Sequence, residues 1–268
     1  MAQKYLFSTI NSALLFVITF ILGTILHEAG HFAAAILVGA EHVSLHHNFV
    51  DEQNGLSVNQ LITIGAAGPL VSLALGVLFT LIFIRQSNRN LFFLFNVYMA
   101  FLGYISFFGY LMTSPFSSQG DTGFIFTSLN FPVWLVITIS VISAFILFRI
   151  AKNMMRYFVE MAPSDIIANP SERHIFFKSL IYHPLLIGII IVTLLSLPVP
   201  AFLSILKSVC MPLTFLWAYR DALNKNYESL VSNDRFTSLN SKQPLLFIIF
   251  ITIVIINRLL VLGINYSS

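Results

Sequence analysis

Seven long apolar runs dominate this sequence and constrain its fold more than any other feature. They cover residues 10–38, 61–84, 91–112, 131–149, 180–198, 201–218 and 244–263. An α-helix needs about 20 such residues to cross the hydrocarbon core of a bilayer. The composition agrees, because 57% of the residues are hydrophobic, only 9% are charged and the mean hydropathy is +0.86. We therefore predict an all-α polytopic membrane protein with about seven transmembrane helices.

The fifth and sixth runs are the least regular part of this pattern. They are joined at Leu197-Pro-Val-Pro200, and the sixth contains Lys207 and Pro212. A broken or re-entrant hairpin is the alternative there.

The basic residues fall on one side of the predicted helices if successive helices alternate in direction. That side carries Lys4, Arg85, Arg89, Arg149, Lys152, Arg156, Arg173, Lys178, Arg220, Lys225, Arg235 and Lys242. Loops rich in Lys and Arg face the cytoplasm, so we expect a cytoplasmic N-terminus and an external C-terminus in a bacterial cell membrane. The segments 150–179 and 219–243 are expected to be basic and cytoplasmic. Lys207 and Arg258 lie inside runs, where they are expected to snorkel or to pack against polar partners.

Two other classes of protein are disfavoured. The net charge of +3 comes from dispersed basic residues, without the concentrated stripe that nucleic-acid binding needs. The single cysteine, Cys210, excludes an intrachain disulfide and a cysteine-rich metal site.

Val38-Gly-Ala40 resembles a signal-peptidase site, but the apolar run before it exceeds the roughly 7–15 residues of the apolar region of a signal peptide, so we expect the N-terminus to be retained.

The first run contains His27-Glu28-Ala-Gly-His31, an H-E-x-x-H sequence. On a helix the two histidines lie about 40° apart on one face, so both can reach one metal ion. Glu28 then lies where it can accept a proton from a water at the metal. Zinc suits nitrogen and carboxylate ligands, and we expect one Zn²⁺ per chain. The alternative is a polar cluster that joins neighbouring helices.

A third ligand is needed, and the sequence leaves several candidates open. The extended zincin pattern is excluded, since residues 34 and 37 are Ala and Leu. Glu52 has a thermolysin-like spacing but lies in a polar stretch, and three loop histidines form another cluster. Asp121 is the favoured ligand because it follows the third run, on the side where the first run ends. The alternative is that Asp121 is an ordinary turn or cap residue. The loop histidines are His42, His46 and His47.

At this point the sequence resembles the site-2 protease family of intramembrane zinc metalloproteases. The resemblance rests on His27 to His31, on Gly65-Ala-Ala-Gly-Pro-Leu70 and on the segment Pro115 to Asp121, and it covers about residues 10–135. It implies a three-helix catalytic core in 1–135, followed by additional transmembrane helices in 136–268. It also implies zinc ligation by His27, His31 and Asp121, Glu28 as the catalytic base, and a short β-hairpin within 42–60.

The chain departs from the family pattern at two positions. Ser72 stands where the family commonly has Asn, and Thr122 follows Asp121 where Gly is usual. In several members the zinc lies nearer the cytoplasmic face, whereas the charge bias here places the site in the outward half of the membrane.

The expected activity is hydrolysis of a peptide bond in a membrane-anchored protein or precursor peptide within the lipid bilayer. We expect no nucleic-acid partner. Asn96, Gly103 and Tyr110 recur every seven residues and would line a water entry or, as is more usual, pack between helices. One alternative is a non-catalytic membrane protein, either an inactive protease relative or a transporter. A non-zinc enzyme such as a lipid oxygenase would need more histidines than the first run provides.

Overall fold

The fold is given by a computed structural model, which describes residues 4–53, 55–199 and 239–267, together with residues 209, 213–216, 219 and 223. The predicted run 201–218 lies largely outside the described residues, as do Lys207, Cys210 and Pro212.

The described chain is mostly helical. Its helices are α1 (Leu6–Leu37), α2 (Val58–Phe83), α3 (Leu91–Thr113), α4 (Asp121–Ser128), α5 (Val133–Val159), α6 (Ser164–Ala168), α7 (Pro170–Phe177), α8 (His183–Leu195) and α9 (Pro244–Leu259). Within the residues that the structure describes, six helical stretches are long and apolar enough to cross a membrane. They correspond to six of the seven predicted runs.

Two of the predicted boundaries were wrong. α5 continues to Val159, well beyond residue 149, and the fifth apolar helix begins at Pro170 and runs through a π-helical turn at Lys178–Tyr182 into α8. The segment 150–179, predicted as a basic connecting segment, is therefore largely helical. The reason is that Met155 and Phe158 on this part of α5 are buried in the core, while the basic residues between them lower the local hydropathy.

α1 and α3 form the centre of the bundle. Of their most apolar windows 56% and 61% are buried, against 17% for α5 and α9. Aromatic rings fill the space between the central helices, and Phe101 lies edge-on to Phe215 with ring centroids 4.0 Å apart. Where α2 and α3 cross, Gly103 lies so close to the backbone of Ser72 and Gly76 that a side chain would not fit. Such small residues allow close approach of apolar helices.

A small sheet covers the end of α1. β1 (His42–Leu45) and β2 (Val50–Glu52) form an antiparallel hairpin, as predicted within 42–60. A third strand, β3 (Ile264–Ser267), pairs antiparallel with the other edge of β1, with His42 opposite Ser267. The sequence did not predict this strand, because a short exposed segment carries no pattern that identifies a partner so distant along the chain.

Basic side chains at both ends of the bundle have polar partners. At the N-terminal end of α1, Lys4 pairs with Glu172 at 2.7 Å and Arg89 pairs with Glu160 at 2.7 Å. At the opposite end, Arg258 donates to the carbonyl of Leu197 at 2.8 Å, so it packs against polar partners as expected. Lys4 precedes α1, whereas β3 belongs to the sheet that covers the other end of this helix. Lys4 and β3 therefore lie at opposite ends of the bundle.

Candidate metal centre

α1 brings His27, Glu28 and His31 together in the half of the helix that is nearer the sheet. The three residues are almost entirely enclosed, with exposed fractions of 0%, 4% and 6% for the whole residues. One helical turn separates the histidines, and their Nε2 atoms lie 3.2 Å apart. His27 is ten residues from the end of α1 at Leu37, a depth of about 15 Å along the helix.

Asp121 reaches the histidines from the start of α4. The chain turns through a 3₁₀ helix at Ser114–Phe116, and Gly120 then caps α4 without a side-chain hydrogen bond. The Asp121 carboxylate therefore does not act as a helix cap. Its Oδ2 lies 3.0 Å from Nε2 of His27 and 3.4 Å from Nε2 of His31.

Two neighbours of Asp121 fix this turn. Thr122 is buried and donates its hydroxyl to the Tyr110 carbonyl at 2.8 Å, which ties α4 to the end of α3. Gly123 packs so closely on the Ser117 carbonyl that a Cβ would collide with it. Thr122 thus has a positioning contact in the place where the family pattern has Gly.

The three side chains fit a tetrahedral metal ion. Their ligand atoms are separated by 3.0, 3.2 and 3.4 Å. Zinc binds nitrogen and carboxylate oxygen at about 2.0 Å, which places the ligands of a tetrahedral site about 3.3 Å apart. Among the described residues, this is the one group of three His, Cys, Asp or Glu side chains with ligand atoms this close.

Hydrogen bonds orient both imidazole rings so that their Nε2 atoms point at this common position. Nδ1 of His31 donates to the Ile64 carbonyl at 2.7 Å, and Nδ1 of His27 lies 2.9 Å from Oγ of Ser72. Such second partners select the tautomer and fix the ring of a metal-ligating histidine. Ser72 therefore contacts a candidate ligand directly, although it departs from the family pattern.

α2 is shaped to receive the His31 ring. A Cβ on Gly68 would occupy the position of that imidazole. Pro69 next to it has no N–H, so the Gly65 carbonyl loses its usual helical donor at this turn. The Gly-Pro sequence in the second apolar run therefore lies against the metal centre.

Tyr110 covers the other side of the site. Its ring stacks on His27 with centroids 5.1 Å apart and planes 7° from parallel. Asn96 and Gly103, the other members of the seven-residue pattern, lie elsewhere: Asn96 is buried and donates to Gln86 at 3.1 Å, and Gly103 packs on α2. Helix packing accounts for those two residues, and Tyr110 alone of the three contacts the site.

The remaining candidate ligands do not join the group. Glu52 is half-buried on β2, and burial raises the pKa of its carboxyl. His42 is exposed on β1, His46 stacks on Phe49, and His47 bonds to the Ser196 carbonyl. Burial lowers the pKa of the His47 imidazole, which favours its neutral form.

Asp121 supplies the negative charge among the three candidate ligands. Burial alone would raise the pKa of the Asp121 carboxyl, but hydrogen bonds from His27 and His31 hold it well below its usual range. The carboxylate is therefore ionised. Glu28 is not one of the three grouped ligands, yet it is close enough for its charge to act on His31 and Tyr110.

Comparisons with protein-family models, curated proteins and solved structures find no match for this chain. The geometry of the site is therefore the main indication of its function.

Proposed function

We propose that the protein is an intramembrane zinc metalloprotease of the site-2 protease type. The observation that carries this proposal is the triangle of ligand atoms from His27, His31 and Asp121, which has the dimensions of a zinc site and is buried within apolar helices. Three ionisable side chains in such surroundings need ligation or pairing to offset their loss of hydration. A water-assisted hydrolysis also needs a base, and Glu28 adjoins the first ligand.

The proposed division of roles follows from these positions. His27, His31 and Asp121 would hold the metal, and bound zinc would polarise a substrate carbonyl and make a nearby water more acidic. Glu28 would take the proton from the attacking water and pass it to the leaving amine. Glu28 is buried beside the ligands, so its side chain would lose little further conformational entropy when it acts as the base.

The geometry also favours a substrate that approaches from one side. The Asp121 side chain is 22% exposed, whereas the side chains of His27 and His31 are 1% and 8% exposed. The open side of the site is therefore at Asp121. A transmembrane helix has its carbonyls engaged in its own hydrogen bonds, so a membrane-anchored substrate would have to unwind locally before cleavage.

The test compares two variants of the purified full-length protein. We expect Glu28→Gln to retain about one zinc per chain and to lose proteolysis, because it keeps all three ligands but not the base. We expect His31→Ala to lose both. Zinc is measured by mass spectrometry of the metal, and peptides released from cells are compared quantitatively between the wild-type and Glu28→Gln strains.

A peptide that depends on Glu28 in cells is then synthesised and offered to the purified protein. Cleavage of that peptide by Glu28→Gln protein would contradict the mechanism. Identical peptide profiles in both strains, together with loss of function in His31→Ala cells, would instead favour a non-catalytic protein that binds metal or substrate helices.

A further inference from the structure

A small cavity lies between α1, α2 and α3 and adjoins the candidate metal centre at Ser72. Its volume is about 20 Å³, and it is lined in part by Gly23, where an added Cβ would meet no heavy atom within 4 Å, and by Gly103, which packs on the backbone of α2. About 10–15 Å³ is enough for one water molecule on the same measure. Ser72, which contacts His27, also lines this cavity and is 1% exposed.

Two more residues that carry hydroxyl groups line the same space. Thr24 on α1 and Ser106 on α3 line the cavity, and within the described part of the chain neither hydroxyl has a hydrogen-bond partner. Other hydroxyls in these helices bond to their own backbone: Thr19 donates to the Leu15 carbonyl at 2.8 Å, and Thr80 donates to the Gly76 carbonyl at 2.7 Å. A water with three hydroxyl partners is well satisfied, since buried waters typically make about three hydrogen bonds.

The hydrogen-bond requirements of His27 explain why a water is needed. A metal ligated through Nε2 requires the proton of the neutral ring to be on Nδ1, where it is donated to Oγ of Ser72. The Ser72 hydroxyl then acts as an acceptor, and its own hydrogen must be donated elsewhere. Within the described residues, the hydrogen bond to His27 is the one recorded for the Ser72 hydroxyl.

We propose that this cavity holds a bound water which accepts the Ser72 hydroxyl hydrogen and is held by Thr24 and Ser106, so that His27, Ser72 and the water form one chain. The inference rests on the proposed metal site, because that site determines the tautomer of His27. Without the water, metal binding would leave a buried hydroxyl donor unsatisfied, which would weaken binding. Thr24 and Ser106 are thus positioning residues that act on the metal through Ser72.

The test measures zinc affinity by competition with a chelator, using full-length protein in detergent. Ser72→Ala should weaken zinc binding by about 10- to 100-fold, as expected for loss of an outer partner of a ligand. Thr24→Val and Ser106→Ala should each weaken it by about two- to tenfold, the value of one hydrogen bond. Thr19→Val is the matched control, because it makes the same change on α1 at a hydroxyl bonded to its own helix, and it should bind zinc like the wild type.

A second measurement looks for the water directly. A high-resolution map of the zinc-loaded protein should show ordered density within hydrogen-bond distance of Ser72, Thr24 and Ser106. Wild-type zinc affinity in both Thr24→Val and Ser106→Ala, or an empty cavity in that map, would overturn the inference and leave the metal site standing. A wild-type protein that binds no zinc would overturn both.

Discussion

Gly68 shows how strongly one residue of α2 constrains the metal centre. It has no side chain at the point where the His31 imidazole occupies the space of a Cβ. Its neighbour Ile64, one turn earlier, accepts the Nδ1 hydrogen of the same ring at 2.7 Å. α2 therefore both leaves room for His31 and fixes its orientation.

Replacement of this glycine should damage the site selectively. In Gly68→Ala the new methyl group displaces the His31 ring from its position opposite His27, so we expect zinc affinity to fall by about 10- to 100-fold. Chelator competition on purified protein measures this loss.

Gly65→Ala is the control on the same helix. The nearest heavy atom to its added Cβ is 3.5 Å away, an ordinary contact. Its zinc affinity should be unchanged, and its thermal stability equal or higher, since Ala favours a helix over Gly by about 0.5–1 kcal/mol. Equal zinc affinity in both alanine variants would show that Gly68 does not position His31.

The ligands and their supports differ in how far the sequence predicts them. The pairing of His27 with His31 follows from helical spacing alone, whereas the predicted side of the membrane favours Asp121 as third ligand and leaves Glu52 and the loop histidines as alternatives. Ser72 and Gly68 could not be assigned in this way, because their contacts depend on how α1 packs against α2. The family commonly has Asn at position 72, yet Ser72 makes a direct contact with His27 in this protein.

At the scale of elements, the three-stranded sheet links the end of the described chain to the metal centre. Val43 of β1 is 2% exposed and packs in a cluster with Ile64 of α2, whose carbonyl orients His31. β3 pairs with the edge of β1, and Ser44 donates to Asn265 across this pair at 2.6 Å. An isolated two-stranded hairpin is marginally stable, so the third strand should matter for order in β1.

Truncation after Gly263 tests the contribution of β3. The backbone amides of β1 should exchange with solvent faster, on the order of 100-fold, because the loss of a few ladder bonds of about 1 kcal/mol each lowers the cost of local opening. Hydrogen–deuterium exchange of peptides covering residues 42–52 measures this change. Removal of Ser268 alone is the control, and unchanged exchange after the longer truncation would show that the hairpin is ordered without β3.

The hairpin itself could be expected from the family resemblance, but β3 could not. Strand pairing between residues 42–45 and 264–267 joins distant parts of the chain, and the short strand at 264–267 is mostly exposed. The lengths of α5 and α7 were also missed, since average hydropathy does not separate a buried Met face from the Arg face of the same helix. Helix periodicity over residues 150–159 carries that information.

For the whole molecule, the ion pairs of Lys4 and Arg89 and the candidate metal centre lie towards opposite ends of the bundle. The ion pairs of Lys4 and Arg89 lie at the N-terminal end of α1, whereas His27, His31 and Asp121 lie in the half nearer the sheet. The cytoplasmic side of a membrane protein carries the excess of Lys and Arg. We therefore predict that the candidate metal centre lies in the outward half of the membrane, whereas in several site-2 proteases the zinc lies nearer the cytoplasmic face.

Cysteine labelling tests this orientation. Asp51 on β2 and Asp165 on α6 are both exposed, at opposite ends of the bundle. In a Cys210→Ser background, Asp51→Cys should react with a membrane-impermeant maleimide in intact spheroplasts, whereas Asp165→Cys should react only after lysis. Labelling of both sites after lysis shows that each thiol is accessible. The reverse pattern in intact spheroplasts would place the sheet in the cytoplasm and the metal centre nearer the cytoplasmic face, in which case the distribution of Lys and Arg would not determine the topology of this protein.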